Sequence, residues 1–210
     1  MVKAMDYVLS AKLRIPDCPP QLIARPRLMP HEVLAPITAV CAPAGYGKTT
    51  LISTWAKSLT MPCAWLSLDA TDNDPTQFML HLISAIQSQY PQFAQNSTST
   101  LTSTQLPAIL GLTRSLLNEL GKLPDNLCLI IDDLHCLNDH LLHDALAFMV
   151  EHLPPQLHLI FISRNTLPFR LPDYGYSINS VKFILKTYVL HVLKWFNFAM
   201  KQCNSIYLPN

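Results

Sequence analysis

The stretch CAPAGYGKTT, Cys41 to Thr50, decides how the rest of the 210-residue chain is read. The chain has five glycines and seventeen prolines, and two of those glycines, Gly45 and Gly47, fall within this stretch. Before it, Ile37-Thr38-Ala39-Val40-Cys41 is apolar on both faces, as a central parallel strand should be. After it, Lys48 to Leu59 reads as a helix carrying Leu51, Ile52, Trp55, Ala56 and Leu59. Strand, glycine-bearing loop and helix in that order match the phosphate-binding pattern G-x-x-x-x-G-K-[ST] over Ala42 to Thr49, with alanine in place of the first glycine. The chemistry explains the composition. Phosphate oxygens must approach several successive backbone N–H groups, and glycine removes both the Cβ and the penalty on positive φ. The helix that follows offers its unpaired N–H groups and its positive dipole end to the same anion. The amides of Ala44, Gly45, Tyr46 and Gly47 are thus candidate phosphate contacts. Lys48 suits the β- and γ-phosphates, the Thr49 hydroxyl suits Mg²⁺, and Thr50 is the next donor.

Working outward, four apolar strands alternate with helices. Cys63 to Leu68 is the second strand, and Asp72-Asn73-Asp74-Pro75 reads as a helix start, an acid followed by proline at the first helical position. Asn96 to Thr104 is a polar connector. Leu106 to Leu120 is helical, ending at Gly121 as its C-cap. Leu127 to Ile131 is a third strand that stops at Asp132-Asp133, a helix covers about 139–152, and Leu157 to Ile162 is a fourth strand ending at Ser163-Arg164. This alternation predicts an α/β fold, a P-loop NTPase with a parallel sheet and helices on both faces. In such sheets the ligand lies beyond the carboxyl ends of the strands. Two adjacent carboxylates after an apolar run are costly to bury without a cation nearby. Asp132 therefore suits a Mg²⁺ ligand, Asp133 a group that orients water toward a γ-phosphate, and Arg164 a γ-phosphate sensor or a surface ion-pair partner.

The motifs resemble the N-terminal ATPase module of the large ATP-binding LuxR-type (MalT-like) transcriptional regulators, within the STAND class of P-loop ATPases. The resemblance is carried by AKLRIP (11–16), IARPRL (23–28), APAGYGKTTLISTWA (42–56), AWLSLDATDNDPTQF (64–78), LIIDDLH (129–135) and HDALAFMVEHLPPQLHLIFISR (143–164). It covers about residues 10–172. It implies a cytoplasmic switch that cycles between ADP- and ATP-bound forms with Mg²⁺, self-associates when ATP is bound, and hydrolyses slowly. It also implies that Arg25 and Arg27 approach the nucleotide, that Lys48 and Thr49 are the P-loop pair, that Asp132 and Asp133 are the Walker B pair, and that Arg164 is the sensor. Sensor and helix-turn-helix regions are not seen in this sequence, so no direct DNA binding is expected from it, and the module reads as truncated, its sheet incomplete at the C-terminal edge. Two alternatives stay open: a stand-alone P-loop enzyme such as a small-molecule kinase, and an inactive remnant acting as an interaction module.

The domain reading is a proline-rich arm over 1–36 with at most one short helix near His31 to Ala35, a P-loop core over 37–173, and a basic, aromatic tail over 174–210. The tail carries Lys182, Lys186, Lys194 and Lys201 and no acid; membrane contact by it is the disfavoured reading. The net charge of +1 gives no global argument for nucleic acid. The six cysteines form no Cys-x-x-Cys pair, and Cys41, Cys63 and Cys128 read as small buried thiols of a reducing compartment. His135, Cys136, His140, His143 and His152 cluster in sequence but lack the fourth ligand of a metal pattern, so a metal site there is declined. Trp55 and Trp65 read as core.

Overall fold

A computed structural model of the chain describes residues 8–17, 35–94 and 109–171. Its four strands are β1 (Ile37–Cys41), β2 (Cys63–Ser67), β3 (Leu127–Asp132) and β4 (Leu157–Ser163). They form one parallel sheet in the order β1-β4-β3-β2. The helices are α1 (Lys48–Ser58), α2 (Pro75–Gln87), α3 (Ile109–Leu120) and α4 (His140–Glu151).

Side chains of successive strand residues point to opposite faces, so a strand covered on both sides must be apolar throughout. On one face, Ala64, Leu66, Leu127, Leu129, Ile131, Leu157, Leu159 and Phe161 pack with α2, α3 and α4. On the other, Val40, Trp65, Cys128, Ile130, Ile160 and Ile162 pack with Ile52, Trp55 and Ala56 of α1. The expected α/β fold with helices on both faces is therefore present; among the described residues, one α-helix lies on one side and three on the other. Trp65 is fully buried and its indole N–H donates to Ser67 Oγ.

The helix ends follow local chemistry. Pro75 stands in the first turn of α2 and Asp74 accepts from the Gln77 N–H, as the sequence suggests. Asp139 caps α4 through the Leu141 and Leu142 amides. The Gly121 N–H bonds to Leu117 O and closes α3, whose expected first residues from Leu106 lie outside the described set. The polar connector and the short helix expected near His31 also lie outside it, apart from Ala35.

Two elements differ from the sequence reading. Asp72 is not part of the α2 start; it sits in a separate 3-10 turn, Ala70–Asn73, and is fully buried. Within the proline-rich arm, Ser10–Leu13 form a 3-10 turn whose Lys12 is buried. One interaction explains both. Lys12 Nζ donates to Asp72 Oδ2 at 2.7 Å and lies 2.9 Å from Asp69 Oδ2, while His81 Nδ1 sits 2.6 Å from Asp72 Oδ1. Burial alone would raise the Asp72 carboxyl, but hydrogen bonds from His81 and Lys12 hold it below its ordinary value. The Asp69 carboxyl, which accepts from Thr71, is held at about 2. The Lys12 ammonium, despite burial, is held above its ordinary value by Asp72 and Asp69. A short turn is thus tied to the fold by buried charge as well as by the packing of Leu13 against the core.

Removing one partner of such a buried pair leaves the other charge uncompensated. Lys12→Ala is expected to destabilise the chain by about 3 kcal/mol in urea unfolding. Lys57→Ala, which breaks an exposed pair with Asp17, should leave the midpoint unchanged. Equal effects from the two variants would contradict this assignment.

Candidate functional site

The parallel register brings the carboxyl ends of β1, β4 and β3 to one edge. Cys41 pairs with Ser163, Ile131 with Phe161, and Ser67 with Asp132. The loop after β1, Arg164 after β4, and Asp132 and Asp133 at the end of β3 therefore share that edge, although β4 separates β1 from β3.

The loop has the backbone the sequence demands. Gly45 and Gly47 have φ of 82° and 73°, the left-handed region where a Cβ is penalised. Space does not decide the matter at Gly45, since an added Cβ would meet nothing within 4 Å. The alanine at the motif's first position is explained as well. Ala42 does not have positive φ, its N–H donates to Ser163 O, and its methyl packs with Leu51 and Tyr46. Glycine is not needed there. Gly47 is the N-cap of α1 and provides no side-chain cap, so the first-turn amides of the helix face the loop. Ala44 and Gly45 are exposed, and Thr49 and Thr50 are half-buried at the start of α1.

Lys48 is buried, and its Nζ donates to Ala42 O at 2.7 Å and to Pro43 O at 3.0 Å. Burial lowers its pKa, with Arg164 adding to the effect, while Asp133 and Asp132 oppose it. Thr49 Oγ1 donates to Asp132 Oδ2 at 2.9 Å, linking residues 83 apart in sequence. The other Asp132 oxygen accepts the Asp133 N–H at 2.9 Å. Asp132 is 2% exposed. Burial, and then the neighbouring Asp133 charge, push its carboxyl up to about 6. Asp133 is half-buried and adopts the left-handed conformation, φ 56°.

The structure thus brings Lys48, Thr49, Asp132, Asp133 and Arg164 together. Arg164 is exposed, and its charge is felt at Lys48 and His135. Arg25 and Arg27 lie outside the described residues. Two further residues belong here. His135 Nδ1 lies 3.7 Å from Asp133 Oδ1, and burial lowers its pKa. Asn73 contacts the segment after β3. His135 was legible as the last residue of the acidic motif and as a member of the declined histidine cluster, not as a neighbour of Asp133. Asn73 was legible only as part of the helix start, because three of its four partners are backbone atoms distant in sequence.

The donor set fits a hard divalent cation. A hydroxyl and a carboxylate oxygen lie 2.9 Å apart, and that carboxylate is buried and reluctant to ionise. The glycine conformations and the uncapped helix fit an anion beside it. Together, fold and site define a P-loop nucleoside-triphosphate-binding domain. The chain belongs to the AAA-domain family, whose model matches residues 32–168. It is 38% identical over 139 residues to the HTH-type transcriptional regulator MalT of Cronobacter sakazakii, covering 66% of this chain and 15% of that protein. It is 30% identical over 163 residues to MalT of Vibrio cholerae, covering 76% of this chain and 18% of that protein. The MalT-like module read from the motifs is thus met by measured identity, over a small share of those regulators.

The Asp132 carboxyl makes a prediction about stability. Its folded value of about 6 exceeds the ordinary 3.8, so between those values the folded chain holds a proton that the unfolded chain has released. Stability from this group therefore falls as pH rises from about 4 to about 6, by at most roughly 3 kcal/mol. Asp132→Asn keeps an acceptor for the Asp133 N–H and places a donor beside Thr49. In EDTA at pH 7.5 it should raise the melting temperature, and it should flatten the pH dependence in that window. A lower melting temperature for the variant would contradict the reading.

Proposed function

We propose that the chain binds ATP and ADP with Mg²⁺ and serves as the slow ATPase switch module of a MalT-like transcriptional regulator in the cytoplasm. The observation that carries this is the bond from Thr49 Oγ1 to Asp132 Oδ2, which closes the phosphate loop against the acidic strand end. The amides from Ala44 to Thr50 would receive phosphate oxygens, and Lys48 would exchange its carbonyl contacts for the β- and γ-phosphates. Thr49 and Asp132 would hold Mg²⁺, which supplies charge neutralisation to the phosphates. Asp133 would orient the attacking water, and Arg164 would sense the γ-phosphate. Arg25 and Arg27 would complete the nucleotide contacts, as the family resemblance implies. Slow turnover suits a switch, and ATP-dependent self-association would be its output. A kinase reading needs arginines that close over an acceptor; Arg164 and Arg170 are the only arginines from β4 onward. The free thiols of Cys41, Cys63, Cys128 and Cys136 support a reducing compartment.

Calorimetric titration with Mg-ADP and Mg-ATP tests the binding half. Saturable binding is expected for the wild type, with a 10- to 100-fold loss in Lys48→Ala, since one charge-assisted contact is worth about 1.5–3 kcal/mol. Indistinguishable curves for the two proteins would remove the P-loop from the account. For turnover, Asp133→Asn should bind Mg-ATP within about threefold of wild type and release phosphate roughly 100-fold more slowly. Unchanged phosphate release would take Asp133 out of its role.

A further inference from the structure

The acidic end of β3 is followed by a segment that must be held in place, and one side chain from another turn holds it. Asn73 Nδ2 donates to Cys136 O at 2.8 Å and to Ala70 O at 3.1 Å. Its Oδ1 accepts from the Asn138 N–H at 2.6 Å and from the Asp139 N–H at 3.2 Å. Three of these four contacts reach the segment after β3, and together they use both ends of the amide.

The turn that presents Asn73 is itself fixed from behind. The preceding residue, Asp72, is fully buried and bonded to Lys12 Nζ, to the Asp69 N–H and to His81 Nδ1. The segment it grips begins at Asp133, which has φ 56° without being glycine. A side-chain-bearing residue persists in that conformation only when both flanks are constrained. The flank before Asp133 is strand, tied to β2 through the Leu68 N–H to Asp132 O bond. The flank after it is the 3-10 turn Leu134–Cys136 and the residues leading into α4. That second flank is where Asn73 acts. Asp133 is also the carboxylate whose charge most favours the Lys48 ammonium.

We propose that Asn73 is a positioning residue for nucleotide hydrolysis, stapling the segment 136–139 so that Asp133 is held facing the phosphate loop. The staple acts through Asp133 and touches no nucleotide. The proposal rests on the ATPase reading above, and it predicts an effect on turnover rather than on affinity.

The experiment compares wild type, Asn73→Ala and Asn73→Asp on the full chain. Hydrogen exchange over 133–139 is read without nucleotide, and steady-state phosphate release with Mg-ATP. Asn73→Ala is expected to speed exchange of that segment at least tenfold while exchange in α1 stays within twofold. It should lower kcat about tenfold and move KM less than twofold. Asn73→Asp keeps the acceptor for the Asn138 and Asp139 amides but loses the donor to Cys136 O, so its exchange and kcat should fall between the other two. Unchanged exchange in Asn73→Ala would overturn the staple. Faster exchange with unchanged kcat, or equal loss in kcat and affinity, would overturn its role in positioning. A wild type that holds the segment protected yet releases no phosphate would overturn the ATPase reading, and with it the consequence for turnover, while leaving the staple itself established by exchange.

Discussion

Asp132 is a carboxylate at the end of an apolar strand, almost out of reach of water, and the site is organised around it. Its two oxygens are committed: one to the Thr49 hydroxyl at the start of α1, the other to the backbone of Asp133. The first bond ties the loop after β1 to the far side of β4. The second fixes the turn that carries Asp133. Burial raises the carboxyl to about 6, so the folded chain carries an unfavourable anion at neutral pH. A divalent cation held there would relieve that cost, which ties the unfavourable burial to the proposed binding.

Around this centre the fold holds the parts at fixed spacing. The sheet is apolar on both faces because helices cover both, and its parallel register aligns three strand ends. The charged residues of the site stand at or just beyond those ends. On the β2 side a second polar network, Lys12 with Asp69, Asp72 and His81, plays a structural part. It anchors the turn from which Asn73 reaches the segment after β3. The two networks are joined through Asn73, so ordering of the arm near Lys12 bears on the geometry at Asp133.

Much of this was legible in the sequence, for a definite reason. Strand and helix patterns, the acid-proline start at Asp74-Pro75, and the glycine loop depend on neighbours within a few residues. The loop's Lys-Thr and the paired aspartates are specific in type and spacing. The alanine at the first motif position looked like a departure, and the backbone explains it, because Ala42 does not need positive φ. Long-range polar pairing was not legible. Lys12 reads as an arm lysine and Asp72 as part of a helix start; only the fold shows that each is buried against the other. Asn73 bonds mainly to backbone groups more than sixty residues away, and backbone partners leave no mark on composition or periodicity.

The central claim is that main-chain amides between Ala44 and Thr50 receive the phosphates while Thr49 and Asp132 face the cation. The most direct measurement is an amide-resolved NMR titration of the chain with Mg-ADP. The account predicts that the largest shifts fall on Gly45 to Thr50, followed by Asp132 and Asp133, and that they collapse in EDTA. Saturable binding whose largest shifts lie elsewhere, with the loop amides unmoved, would contradict it.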